Sequence, residues 1–283
     1  MPICAQHFAD EVALSSPITP ARDRSEHSGI TVGWASSDDD LRAVQRLRYD
    51  VFVVEMGAVP CDEDVEDCER LERDRFDPFC DHLLVRAPAS AAQPRGAVIG
   101  TYRVLRPKQA RRAGGFYCET EFDLRPLDIL REKTVELGRS CVHPDWRSGA
   151  VMMAMWRALG EYMHSYQLDT MIGCASIWVG DNGAMASAIW EHLRHAYLVD
   201  ERWQIRPRDA TILPAIDASR RNIVVPPSSI PPLIKGYLRC GARLLGPPAF
   251  DRAFNTADLP MMMQFSDITS RYRKHFLERR VHQ

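Results

Sequence analysis

Residues 135–149, "VELGRSCVHPDWRSG", place a glutamate, two arginines, a cysteine and a histidine between two stretches of regular apolar pattern. "TVELGRSCV" reads as a β-strand and "HPDWRSG" as a loop. Residues 150–166 read as a helix, because Val151, Met152, Met155, Trp156, Leu159, Tyr162, Met163 and Tyr166 recur at helical intervals. "DTMIGCASIW" then predicts a short buried strand, and "GDNGAMASAIWEHLRHAYL" a helix capped by Asp181 or Asn182. Strand, polar loop, helix, strand, helix is a succession that needs a sheet covered by helices. On a regular strand Glu136, Gly138 and Ser140 share one face, and Leu137, Arg139 and Cys141 the other.

The rest of the chain fits that frame. "SSDDDLRAVQRLRYDVFVVEMG" opens with cap-forming residues and spaces Leu41, Val44, Leu47, Val51 and Phe52 as an amphipathic helix. Residues 61–81 are acidic and aperiodic, which predicts a loop. "DHLLVRAP" and "GAVIGTYRVLRP" predict two strands of an antiparallel hairpin. Beyond residue 200 come a proline-rich link, a short helix at "PPLIKGYLRCGA", a strand near "DLPMMMQF" and a basic helix. The expected fold class is α/β, a central mixed sheet flanked by helices on both faces. Residues 1–36 are expected to be a flexible arm, and residues 37–283 a single domain.

Composition excludes several classes. The eight cysteines show neither a C-x-x-C pair nor zinc-type Cys/His spacing, so reduced thiols of a cytoplasmic protein are expected, with no metal. No run of about 18 apolar residues suggests a membrane span, and the first thirty residues carry no signal-peptide pattern. A net charge of −2 and the absence of a recognition motif argue against nucleic-acid binding.

Together "LRYDVFVVEMGA", "CDHLLV", "GTYRVL", "ETEFDL", "ELGRSCVHPDWR", "GCASI", "PPLIKGYLRCGA" and "FNTADL" resemble the ornithine-acyl carrier protein N-acyltransferases of ornithine-lipid synthesis. That family is a GNAT-like branch related to the acyl-homoserine-lactone synthases. The likeness runs in order from about residue 40 to 275. It implies a GNAT-like fold and transfer of a 3-hydroxyacyl chain from acyl carrier protein to the α-amine of ornithine, giving lyso-ornithine lipid. The donor is a phosphopantetheine thioester, so no tightly bound cofactor is expected. The implied partners are acyl carrier protein and a free amino acid, and a long-chain product suggests peripheral contact with the inner membrane.

Aminolysis of a thioester needs a neutral amine, an oriented carbonyl and a proton acceptor. The resemblance assigns the acceptor to Glu136, against the bland reading of a surface pair with Arg139 or another basic residue. An α-amine is less basic than a side-chain amine by two or more pKa units, roughly 3 kcal/mol in availability of the uncharged form, so preference for the α nitrogen is partly intrinsic. Arg48, Arg103, Arg139 and Ser140 are the implied substrate-binding residues. For Arg48 and Arg103 the competing reading is an internal ion pair tying helix to sheet.

Arg147, Ser148 and Gly149 stand where GNAT-like folds offer backbone N–H groups and a helix N-terminus to phosphate. The loop carries one glycine where acetyl-coenzyme A enzymes are glycine-rich, a departure that suits a single phosphodiester.

Two readings stand for Asp62, Glu63, Asp64, Glu66, Asp67 and Glu69: an amine-binding loop or a solvated one. The methionines read as core before acyl tunnel, and His143 as a turn residue. The basic "SRYRKHFLERRVHQ" suits a carrier protein, an anionic membrane or plain solvation. N-acylation of glycine or another amine, a signal synthase using S-adenosylmethionine, and a non-catalytic acyl-binding protein are the alternative functions.

Overall fold

The computed structural model describes residues 29–59, 70–147, 149–180, 183–209 and 225–268. They fall into two compact units. One comprises residues up to Val104 with Gly138–Tyr166, the other Leu105–Leu137 with residues from Gln167 on.

The first unit opens with β1 (Thr31–Trp34), which pairs antiparallel with β2 (Asp81–Arg86) in the register Thr31↔Arg86. β1 lies inside the stretch expected to be a flexible arm, so order begins earlier than the polar composition suggested; residues 1–28 lie outside the described residues. α1 (Asp38–Arg48) starts where the Ser37 hydroxyl accepts the Asp40 N–H. Aspartates fill its first turn and Arg46 and Arg48 its last, matching the helix dipole at both ends. The winding widens to a π-helical segment over Tyr49–Glu55, in the part expected to continue as α-helix. β2 pairs antiparallel with β3 (Val98–Leu105), the predicted hairpin. The strand order is β1-β2-β3-β5, where β5 is Thr134–Val142 and contributes its later residues here. α3 (Gly149–Ser165) packs Val151 and Met155 against Gly100 of β3, where an added Cβ would sit 3.2 and 3.3 Å from their side chains.

The second unit contains α2 (Pro107–Ala113), β4 (Phe122–Asp123), the start of β5, β6 (Thr170–Trp178) and α4 (Ala184–Tyr197). It continues with β7 (Arg206–Pro207), α5 (Pro232–Cys240), β8 (Arg243–Leu244), β9 (Ala249–Asp251) and β10 (Thr256–Gln264). Strand order is β5-β6-β10-β8, with β9 also on β10 and β4 paired to β7. β6 and β10 are antiparallel along their whole length, Thr256↔Trp178 through Gln264↔Thr170. β5 and β6 are parallel over Thr134–Glu136 against Thr170–Ile172, which makes the sheet mixed as expected. Ile177, Ile189, Leu193, Ile234, Leu244, Leu259 and Met261 form the buried cluster that α4 and α5 close, each large side chain contributing roughly 2 kcal/mol. Met155, Met163, Met171, Met261 and Met262 are buried as core residues.

α4 begins after Gly183, whose φ of 77° is left-handed; Asp181 and Asn182, the expected caps, lie outside the described residues. So do the acidic residues 62–69 and the basic stretch 270–283, expected to be a helix. Among the described residues no helix is long and apolar enough to cross a membrane.

Candidate active site

β5 occupies the nine residues the sequence predicts, and Glu136 sits on it 4% exposed. A carboxylate so buried needs hydrogen-bond donors. They come from the backbone. α2 ends at Gly114 with φ 85°, Gly115 follows at φ 135°, and a 3₁₀ turn forms over Tyr117–Thr120. Its first two N–H groups have no partner within the turn itself. Tyr117 donates its N–H to one Glu136 oxygen and Cys118 to the other, each at 2.6 Å. The carboxylate is thus gripped by both oxygens, in an orientation that the turn dictates.

β6 comes close on the other side. An added Cβ at Gly173 would lie 2.3 Å from the Leu137 carbonyl oxygen, so glycine is what allows the approach beside Glu136. The half-buried Cys174 follows, its sulfur 3.5 Å from that of Cys118 and 3.7 Å from a Glu121 oxygen. The Cys118 hydrogen bond pulls the Cys174 pKa down, but burial and the carboxylates of Glu121, Asp258 and Glu136 outweigh it and push it up to about 12. Cys118 is raised as well, by its hydrogen bond with Cys174 and then by burial. Both thiols are therefore neutral at physiological pH. Glu121, Cys174 and Asp258 bring ligand atoms within 4.8 Å of one another, a set able to accept a cation or an ammonium group. Thr256 donates its hydroxyl to Asp258 at 2.8 Å. These three residues are far apart in sequence, which is why spacing did not reveal them.

The first unit holds a different constellation. Arg48 is fully buried and engages Glu72 through Nε, the Glu72 carbonyl at 2.7 Å, and both Asp77 oxygens at 3.0 and 2.9 Å. Arg103 meets Asp74 at 2.6 Å and Asp77 at 3.0 Å, and Arg139 meets Glu72 at 3.0 Å and Asp74 at 3.1 Å. Among the described residues, three guanidinium groups thus meet three carboxylates. Gln45 adds a hydrogen bond to Asp77 at 2.9 Å. The structure gives Arg48 and Arg103 the internal role that was the alternative to substrate binding: with four donors of Arg48 committed, no face of it reaches solvent. Arg139 joins them because its φ is 48°, a left-handed residue within β5. This corrects the strict alternation expected along the strand, since Cys141 and Val142 are both buried after it. A non-glycine residue in that region costs about 1 kcal/mol, offset here by two carboxylate partners.

Burial works against ionisation of Asp77, yet Arg48 and Arg103 hold its carboxyl well below the usual range. Asp74 is lowered by Arg103 and Arg139 against the same penalty. Burial lowers His82, whose Nε2 contacts the Asp77 carbonyl at 3.1 Å.

The remaining expected residues are placed as follows. Ser140 is half-buried on β5. Arg147 grips both Glu55 oxygens at 2.6 and 2.5 Å and donates to the Val142 carbonyl at 3.2 Å. Gly149 is the exposed first residue of α3, and Ser148 lies outside the described residues. His143 caps the 3₁₀ turn Pro144–Trp146 through its ring nitrogen, a turn residue as read. Sequence reasoning missed Tyr117 and Cys118 because they act through backbone N–H groups, which carry no residue identity. The available signal was Gly114-Gly115 followed by glutamate three residues after Phe116, the spacing of a capped turn.

Residues 47–157 match the acetyltransferase (GNAT) domain family, in keeping with the mixed α/β fold. The chain is 37% identical over 247 residues to the L-ornithine N(alpha)-acyltransferase of Rhodobacter capsulatus, covering 87% of this chain and 93% of that protein. To the L-ornithine N(alpha)-acyltransferase of Brucella abortus it is 36% identical over 251 residues, covering 87% and 88%. Among solved structures, the AHL synthase LasI is 14% identical, over 89% of this chain and 98% of that one, with a TM-score of 0.47. At this identity and coverage the chain is an acyltransferase and belongs to the L-ornithine N(alpha)-acyltransferase family.

Proposed function

We propose that the protein transfers a (3-hydroxy)acyl chain from acyl carrier protein to the α-amine of L-ornithine, giving lyso-ornithine lipid, with Glu136 as proton acceptor. The observation that carries this reading is the buried Glu136 carboxylate held on both oxygens by the Tyr117 and Cys118 N–H groups. A carboxylate offers about four acceptor sites, so contacts of this kind are compatible with its taking a substrate proton directly or through a water. The α-ammonium gives up its proton there. That first proton passes on to solvent; the neutral nitrogen then attacks the thioester carbonyl. As the tetrahedral adduct collapses with the C–S bond broken, its nitrogen gives up a second proton, by way of Glu136, to the departing thiolate, leaving amide and free thiol.

Glu121 and Asp258, whose charges act on the same Cys174 thiol as Glu136 does, are the acceptors we assign to ornithine's second ammonium. The donor's phosphodiester falls to Arg147, Ser148 and the start of α3 at Gly149, with Glu55 releasing or sharing Arg147. Of the four residues expected to bind substrate, Ser140 keeps that role in this reading, since Arg48, Arg103 and Arg139 are engaged by Glu72, Asp74 and Asp77.

The test is direct. Purified protein with 3-hydroxyacyl carrier protein is offered ornithine, lysine, glycine or glutamine, and products are identified by mass spectrometry alongside thiol release. Ornithine should be acylated on its α-nitrogen, and Glu136→Gln should lower turnover by about a hundredfold or more. Acylation of none of these amines, or full turnover by Glu136→Gln with chemistry rate-limiting, would falsify the reading.

A further inference from the structure

The turn that grips Glu136 is itself held by residues that do not touch Glu136 in the hydrogen-bond pattern. Glu119 accepts the Phe116 N–H at 2.7 Å, closing the turn from below, and its own N–H returns to the Phe116 carbonyl at 3.1 Å. Arg131 clamps both oxygens of Glu119, at 3.1 and 2.6 Å, while its guanidinium carbon lies 5.4 Å from the centre of the Phe116 ring. Arg208 holds the far side, donating through Nε to the Glu119 carbonyl at 2.6 Å and through its backbone N–H to the Glu121 carbonyl at 2.7 Å. Gly115 leaves the space that this arrangement needs, since a Cβ there would lie 2.6 Å from the Glu119 carboxylate. Glu119 is held below its ordinary pKa: the Arg131 hydrogen bond and the Phe116 N–H overcome the opposing effect of burial.

We propose that Glu119 and Arg131 are positioning residues for the acyl transfer: they fix the Tyr117–Thr120 turn so that its first two N–H groups aim at Glu136, and thereby set the proton affinity of that carboxylate. The proposal rests on the reading of Glu136 as proton acceptor. Its physical content is simple. N–H donors favour the charged form of a carboxylate, so a turn that loosens gives Glu136 a higher proton affinity and a poorer alignment with the amine. An ion pair on the protein surface that served only stability would lower the amount of folded enzyme and leave these two properties unchanged.

The experiment uses the full chain with Glu119→Gln, Glu119→Ala, Arg131→Met and the conservative Arg131→Lys. Turnover is followed against pH with saturating donor, and the Glu136 carboxyl is titrated by ¹³C NMR, its signal assigned by its absence in Glu136→Gln. Glu119→Ala and Arg131→Met should lose about ten- to hundredfold in kcat, with KM for ornithine within about twofold. The acid limb of the profile and the Glu136 titration should both move to higher pH, and Arg131→Lys should restore most of each. Glu119→Gln keeps an acceptor for Phe116, so it reports on the clamp even where Glu119→Ala fails to fold.

An unmoved Glu136 titration in both Glu119→Gln and Arg131→Met overturns the proposal, whatever the turnover. If Glu136→Gln retains full turnover, the reading of Glu136 falls instead, and the carboxyl titration still decides whether the clamp sets its proton affinity.

Discussion

Cys118 donates its backbone N–H to Glu136 at 2.6 Å, and Tyr117 supplies the matching donor on the other oxygen. Truncating the glutamate therefore strands two donors in a site where the carboxylate was 4% exposed. Each buried unsatisfied donor costs about 1–3 kcal/mol. Glu136→Ala should lose roughly 2–5 kcal/mol of stability in urea unfolding, and Glu136→Gln less, because its carbonyl still serves one donor. Equal stability of the wild type and Glu136→Ala would show that the two contacts are not made.

Acid should destabilise the protein in two steps. His82 has a folded pKa below its unfolded value, so the unfolded chain binds its proton first and stability begins to fall as pH drops below about 6.5. Asp74 and Asp77 are depressed by their arginines; their contribution is complete above the unfolded carboxylate value, about pH 4, and is lost as pH falls from there through their folded values. His82→Gln should flatten the upper step and leave the lower one. Unfolding free energies measured between about pH 3 and 8 would reveal a single step if this assignment is wrong.

Breaking the internal ion set from one side should be costly. Arg48→Met leaves Glu72 and Asp77 buried without their main partner, for which about 3–5 kcal/mol is expected. Exposed pairs such as Arg111–Glu132 are the control, with Arg111→Ala expected to change stability by less than about 1 kcal/mol. Comparable losses in both variants, read from thermal unfolding, would contradict the burial argument.

Gly173→Ala should weaken the parallel β5–β6 pairing, because the new methyl meets the Leu137 carbonyl at 2.3 Å and backbone must shift. Hydrogen exchange would show faster exchange for amides of Thr134–Glu136 and Thr170–Ile172, while Gly138→Ala, where nothing lies within 4 Å of the added carbon, serves as comparison. Unchanged protection at Gly173→Ala would mean the strands approach less closely.

The thiols offer a chemical check. Cys174 at about 12 and the raised Cys118 and Cys141 should resist alkylation at pH 8 in the native protein, yet react once it is unfolded. Mass mapping after brief iodoacetamide treatment distinguishes the outcomes, and rapid native labelling at Cys118 would refute the packing around it.

What the sequence disclosed depended on the reach of the interaction. β5, the β2–β3 hairpin and α3 were legible because period and β-propensity act within a few residues. β1 was not, because four residues among polar neighbours carry almost no pattern until β2 supplies a partner. Glu136 stood out through its strand and its family resemblance, whereas the donors that hold it are backbone groups eighteen and nineteen residues away. Arg48 and Arg103 were visible as candidates, but only the fold could decide their partners, since Glu72, Asp74 and Asp77 come from a stretch with no periodic signal. Arg139's left-handed backbone broke a rule that assumes unbroken strands.

The balanced set of Arg48, Arg103, Arg139, Glu72, Asp74 and Asp77 also bears on how such a chain can drift over generations. Reversing one charge shifts the net charge of this set by two units, a change that a single compensating reversal at a touching partner repairs. Variation at these six positions should therefore be inherited in couples. A library randomised at all six and selected for folding should return neutral sextets, with arginine free to migrate among the sites but seldom to disappear alone.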